Sequence, residues 1–213
     1  MPKRRIVLGC LVGLMSLNTV TTVRAQEPRL RGRIPDEIRG EIDSILGAAR
    51  HAAIPTEPLV DRALEGATKR AEPGVILHAV RRLEGELRTS RAALGATATD
   101  AEIVAGASAL RAGAQPNDLT ELRRARRGQP LTVATAVLAD LVAVGVPVDT
   151  AIAAVLALAD GIDDAEYIAF RQNVERDIAL GASPVSALGV RLDMAAEAYN
   201  TTDRSPPQRP RKP

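Results

Sequence analysis

Apolar residues recur along most of this chain at spacings of three and four, the period that gathers side chains on one face of an α-helix. Ile38, Ile42, Ile45, Leu46, Ala49 and Ala53 form the first such stripe, and Leu59, Val60, Ala63, Leu64 and Ala67 the second. Val75, Ile76, Ala79, Val80, Leu83 and Leu87 follow, then Ile103, Ala107 and Leu110. Tyr167, Phe170, Val174 and Ile178, and after them Val185, Leu188, Leu192, Ala195 and Tyr199, close the series. No stretch sustains the alternation of a half-buried strand. The pattern predicts an all-α fold of eight or nine short helices, each of about 11 to 20 residues, packed as helical hairpins.

The breaks between stripes carry helix start signals. Thr99 with Glu102 has the spacing of a capping box, in which each side chain satisfies a free backbone N–H of the other residue. Asp163 with Glu166, and Ser183 before Pro184, mark two further starts; proline suits a first helical position whose N–H has no partner anyway.

One connector recurs. Leu110 to Pro116 and Ile178 to Pro184 share the order apolar-x-x-Gly-Ala-x-Pro, and Val142 to Pro147 is the same with one residue fewer. Glycine can end a helix in the left-handed conformation, and proline can open the next one. Gly113, Gly145 and Gly181 are 32 and 36 residues apart, room for one helical hairpin per repeat. Such a period is similar to that of tetratricopeptide repeats, but the aromatic positions of that motif are absent, so no membership follows. Between Leu131 and Ala159 the only charges are Asp140 and Asp149. Helices apolar on every side are buried, so this hairpin is the expected centre of the core.

The two ends read differently. Lys3, Arg4 and Arg5 precede the apolar run Ile6 to Leu17, and small and polar residues lead to Val23-Arg24-Ala25, the layout of a secretory signal peptide cleaved after Ala25, with an uncleaved membrane anchor as the alternative. The 12-residue run is too short to span a bilayer as a helix, which needs about 20 residues. Residues 26–33 read as a linker, 34–199 as the all-α domain and 200–213 as a disordered tail rich in proline and arginine. Removal of the leader takes Lys3, Arg4, Arg5 and Arg24, so the formal charge falls from +2 to −2; the tail from Asp203 carries +3 and leaves the body at −5. The basic ends, not the body, produce the high isoelectric point. Nucleic acid is therefore not an expected partner, and no transmembrane helix is expected after signal removal.

Composition narrows the chemistry. The 37 alanines stand against three aromatic residues, Tyr167, Phe170 and Tyr199, so the core must be built from small aliphatic side chains on closely approaching helices. The one cysteine, Cys10, lies in the leader, which excludes a disulfide framework, a thiolate nucleophile and cysteine-bound metal from the mature chain. His51 and His78 belong to no metal pattern, and no serine-nucleophile motif is present. Asp160, Asp163 and Asp164 lack the alternation of a calcium loop and read as helix caps. No catalytic constellation, cofactor or metal site follows from the sequence.

Two arginine groups remain. Arg81, Arg82, Arg88 and Arg91 have Glu84 and Glu86 at helical spacing, which uses much of their charge within one helix. Arg123, Arg124, Arg126 and Arg127 have only Glu121 nearby and are the candidate anion-binding residues. The functional expectation is an exported binding or scaffold protein of the cell envelope, secreted or periplasmic, whose partner is a protein or an anionic envelope component. The alternatives are an all-α enzyme built on dispersed carboxylates, in which Asp140, Asp160, Asp163, Asp164 and His78 converge, or a membrane-surface structural protein. A continuous groove would favour the binder.

Overall fold

The computed structural model describes residues 27–203, with side chains as far as 198. Nine α-helices and no strand occur among the described residues. A short 3₁₀ turn, Pro28–Leu30, precedes α1 (Asp36–His51), α2 (Glu57–Thr68), α3 (Pro73–Leu94), α4 (Asp100–Ala112) and α5 (Pro116–Ala125). Then come α6 (Thr132–Ala143), α7 (Val148–Leu158), α8 (Asp164–Ala179) and α9 (Pro184–Asp203). The expected leader and the tail from 204 onward lie outside the described residues.

Two features lie at the expected boundaries. The segment read as a linker is fastened to the fold at one residue, Leu30, which is buried in the same apolar cluster as Ile34, Ile38 and Ile42. A single docked leucine has no period, so the pattern could not show it. At the other end the backbone of α9 runs on through Asn200 to Asp203. Asn, Thr and Asp are weak helix formers rather than breakers, and the first proline after them is Pro206.

The recurring connector is one structure used repeatedly. Gly113, Gly145 and Gly181 all have φ near +100°, at +115°, +95° and +104°. In each turn the glycine N–H donates to the carbonyl three residues back: Leu110, Val142 and Ile178. The next N–H, of Ala114, Val146 or Ala182, donates five residues back at 3.0 Å in every case, which is the Schellman pattern. The same two bonds recur at Ala53 and Arg70, residues at φ +52° and +54° that join α1 to α2 and α2 to α3. Arg70-Ala71-Glu72-Pro73 is thus another copy of the connector with arginine in the glycine position.

These turns make the packing regular. Helices two apart in sequence stack on one another, giving one row of α1, α3, α5, α7 and α9 and a second row of α4, α6 and α8. Helix α3, the longest of the internal helices, also packs on α2 and α4. Small side chains permit close approach where α3 meets α4. A Cβ at Gly106 would overlap Ser90 Oγ and lie 3.2 Å from Leu94 Cδ1 and 3.3 Å from Leu119 Cδ1.

Buried side chains form two clusters joined along α3 and α4. One gathers α1, α2 and the first part of α3; the other runs from Leu94 to Leu188. The α6–α7 hairpin is the centre of the second cluster, with Leu131, Ala134, Leu138, Leu141, Ala154 and Val155 buried. It is not buried all round: Leu156 is half-buried and Ala153 and Ala157 face solvent. Alanine on an outer face costs nothing, which makes an alanine-rich helix look more enclosed than it is. The anticipated starts also form, with reciprocal bonds between Thr99 and Glu102 and between Asp163 and Glu166, and with Ser183 Oγ accepting from Ser186 N–H.

A left-handed non-glycine residue costs about 1–2 kcal/mol, partly offset in a glycine variant by the freedom it gains when unfolded. The exposed Arg70→Gly variant is therefore expected to be more stable by about 0.5–1 kcal/mol, read from the midpoint of denaturant unfolding. A lower midpoint would show that Arg70 contributes contacts worth more than its backbone strain.

Candidate functional site

The arginines singled out by the sequence do not act as one group. Arg126 is 1% exposed. Its Nε donates to Pro130 O at 3.3 Å, Nη1 to Ile162 O at 3.0 Å and, more weakly, to Ala159 O at 3.5 Å, and Nη2 pairs with Asp164 Oδ1 at 2.9 Å. The guanidinium also lies 5.0 Å from the centre of the Tyr167 ring, within reach of a cation–π interaction. Tyr167 is itself buried and donates its hydroxyl to Val155 O at 2.7 Å. Burial, partly opposed by the neighbouring Arg126 charge, pushes the Tyr167 hydroxyl up to about 12, so it remains a protonated donor.

Arg123 is engaged as well. Its Nη2 lies 2.9 Å from Glu102 Oε1, a charge contact without the alignment of a hydrogen bond. Glu102 is 4% exposed and also accepts from the backbone N–H groups of Leu131 and Thr99, both at 2.9 Å. Burial pushes its pKa up, but the Thr99 and Leu131 N–H groups and Arg123 together outweigh this and hold the carboxyl below its ordinary value. Only Arg124 and Arg127 are exposed. The expectation that this group lacks partners is thus corrected for Arg123 and Arg126, whose carboxylates come from 21 and 38 residues away in sequence. Glu121, the neighbour foreseen, receives a bond from Asn117 instead.

The other arginine group behaves partly as anticipated. Arg82 pairs with Glu86 and Arg88 with Glu84 inside α3. Arg81 reaches Glu41 on α1, and Arg91 donates to the carbonyls of Gly95, Ala96 and Ala98, holding the α3–α4 loop.

The carboxylates of the enzyme alternative do not converge. Asp140 meets Arg171 at 3.5 Å, Asp164 meets Arg126, and Asp163 caps α8. Asp160 lines a separate cavity of about 440 Å³ beside α9, whereas His78 is on α3. His51 is exposed. Among the described residues no three His, Cys, Asp or Glu side chains are grouped to hold a metal ion, and no helix is long and apolar enough to cross a membrane.

The feature that gathers side chains from several elements is a groove. Helix α2 has no packed neighbour in the second row: α4, α6 and α8 stack in turn, but α2 and α4 do not close on each other. The gap has a volume of about 830 Å³. Leu83 and Leu87 of α3 line it with Val104 and Ala105 of α4, while Glu57, Asp61 and Glu65 of α2 and Asp100 of α4 supply carboxylates. A second cavity of about 240 Å³ continues it along α3, sharing Arg62, Leu83 and Arg111 and adding Val75, His78, Arg82 and Glu86. Val75, assigned by its spacing to the buried stripe, is 60% exposed at this end. Helical period shows which residues share a face of one helix, but a gap between two helices has no local signal. No family model, curated protein or solved structure matches this chain.

Two outcomes test the charge arrangement. Arg126→Gln leaves buried carbonyls and Asp164 without their cation, and is expected to cost about 3 kcal/mol in denaturant unfolding. Arg124→Gln with Arg127→Gln should stay within about 0.5 kcal/mol of the parent. Equal losses in the two variants would reject the distinction.

Because the folded Glu102 carboxyl is held below its unfolded value, its contribution to stability is complete above that value and disappears as acid protonates the folded form. Glu102→Gln is accordingly expected to be less stable than the parent at neutral pH, with the difference shrinking as pH falls below 4.5 in acid-dependent melting. A difference that stays constant through that range would show that the carboxylate charge is not what stabilises the corner.

Proposed function

We propose that this chain is a helical binding protein, exported to the cell envelope, that holds a segment of a partner polypeptide in the groove between α2 and α4. The observation that carries the reading is the interrupted stack. Three helices of the second row pack on one another, whereas the place between α2 and α4 is left as an 830 Å³ channel with leucine, valine and alanine along it. A mostly apolar concavity of this size bordered by a few fixed charges is the ordinary form of a ligand site.

The carboxylates select the kind of segment. Glu57, Asp61, Glu65 and Asp100 border the channel against Arg62 and Arg111, so the longer section favours a segment that carries Lys or Arg. Glu57 and Glu65 already meet Arg29 and Lys69 at the surface, at 2.7 Å and 2.6 Å. These are exposed, solvent-screened pairs, which a ligand cation can replace. Export is supported by the basic, apolar and small-residue order of the first 25 positions. The enzyme alternative loses support because Asp140, Asp163 and Asp164 are engaged by Arg171, the α8 cap and Arg126, while Asp160 and His78 line different cavities.

The test selects random peptides against the full chain and measures their affinity for the parent and for Ala105→Trp, which fills the channel from α4. Helicity and melting must match in the two proteins. Selected peptides should be enriched in Lys or Arg and bind the tryptophan variant about tenfold more weakly or worse. Peptides that bind both proteins equally, or a selection that yields none, would overturn the reading.

A further inference from the structure

The smaller cavity at the Val75 end of the groove differs in charge from the rest. Arg62 arrives from α2, Arg82 from α3 and Arg111 from α4, so three helices each contribute one guanidinium to a space of about 240 Å³. One carboxylate, Glu86, is shared between two of them. Its Oε1 accepts from Arg82 Nε at 3.0 Å, and its Oε2 from Arg111 Nε at 3.0 Å and Nη2 at 2.6 Å. The Glu86 side chain is 14% exposed, so it anchors both arginines from below without closing the cavity.

This arrangement leaves donors over. Arg82 commits its Nε to Glu86, and its two Nη groups have no acceptor among the described residues. Arg111 keeps its Nη1. Among the described residues, Arg62 makes only a 3.4 Å ion contact with Glu65, its neighbour on α2, and no hydrogen bond. The surrounding side chains, Val75, Ala79 and Leu83, offer these donors no acceptor, and His78 is the remaining polar group of the lining. Guanidiniums already oriented by a carboxylate lose less freedom when they bind a second oxyanion than free surface arginines do.

We propose that this cavity is an oxyanion subsite, in which Arg62, Arg82 and Arg111 bind a carboxylate or phosphate group of the ligand. The assignment rests on the groove being a binding surface and specifies its polarity: cationic side chains of the ligand lie toward Glu57, Asp61 and Asp100, and an anionic group lies at the opposite end. Planar guanidinium forks match carboxylate and phosphate oxygens through paired N–H donors. The arginines near 123–127, where the sequence placed anion recognition, are half consumed by structural pairs; here the donors are still available.

The experiment titrates the full chain at low ionic strength with inorganic phosphate and, separately, with acetate, following the Arg Nε–H resonances by NMR. Sodium chloride at matched ionic strength is the control. Saturable shifts of Arg62, Arg82 and Arg111 are expected with at least one of the two anions and not with chloride, and the comparison tells phosphate from carboxylate. The double variant Arg62→Gln with Arg82→Gln removes two of the three forks but leaves the Arg111–Glu86 pair. It should weaken anion binding by about tenfold while leaving the melting temperature within a few degrees. Binding that is unchanged in the double variant, or no saturable shift with either anion, overturns the subsite. Loss of the anion response with selected peptides still bound in the channel refutes this inference alone. Retained anion response with no peptide bound refutes the groove reading instead.

Discussion

The buried guanidinium of Arg126 is the contact on which the spacing of the later hairpins depends. It stands between the α5–α6 loop, through Pro130, and the α7–α8 loop, through Ala159, Ile162 and Asp164. Helix α7 ends at this point with carbonyls that no later turn of helix can satisfy, and a cation near a helix C-terminus meets both their hydrogen-bonding need and the helix dipole. Taking a guanidinium out of water is expensive unless its donors are used and a counter-charge is present. Here all three nitrogens have acceptors, Asp164 supplies the charge, and the Tyr167 ring covers one face. The arrangement is therefore intolerant of displacement, and it fixes one hairpin against the next.

From α3 onward two kinds of connection alternate along the chain, and they are built from different forces. Turns within hairpins are closed by the backbone alone, through the paired bonds around Gly113, Gly145 and Gly181. Connections between hairpins are held by charged side chains: Arg91 over the loop of Gly95 to Ala98, Glu102 receiving the Leu131 N–H, and Arg126 between the next two loops. The first kind needs a residue that tolerates positive φ. The second needs a partner distant in sequence.

This division explains what could be read in advance. Helices, their capped starts and the glycine turns are local, and their residues lie within a few positions of one another, so spacing revealed them. The copies of the turn at Ala53 and Arg70 carry no glycine to mark them, and the fold imposes the same conformation on residues that resist it. Arg123 and Arg126 looked unpartnered for a related reason. Their carboxylates lie on other helices, Glu102 on the first helix of the same hairpin and Asp164 on a later hairpin, and pairing between helices leaves no trace in the neighbouring sequence. Leu30 escaped notice because a lone apolar residue among arginines has no period. Of the groove, the sequence showed the apolar face of α3 but not that α2 and α4 would leave part of it open.

The groove itself follows from the same construction. A stack of hairpins closes only where each helix of a row meets the next, and the α3–α4 connection determines how far α4 stands from α2. Helix α3, at 22 residues, is twice as long as α7, at 11, so it extends along both α2 and α4 and presents Val75, Leu83 and Leu87 between them. Alanine and serine on α4, at Ala101, Ala105 and Ser108, are too small to fill the space. Larger residues there would have completed the core and removed the channel. Arg111 and Glu86 instead bridge α4 to α3 at the margin, with the long carboxylate and guanidinium arms spanning a distance that methyl groups cannot. The charge bridge that keeps this end of the gap in register also leaves spare donors facing into it, so the support of the groove and the chemistry of its cationic end come from the same side chains.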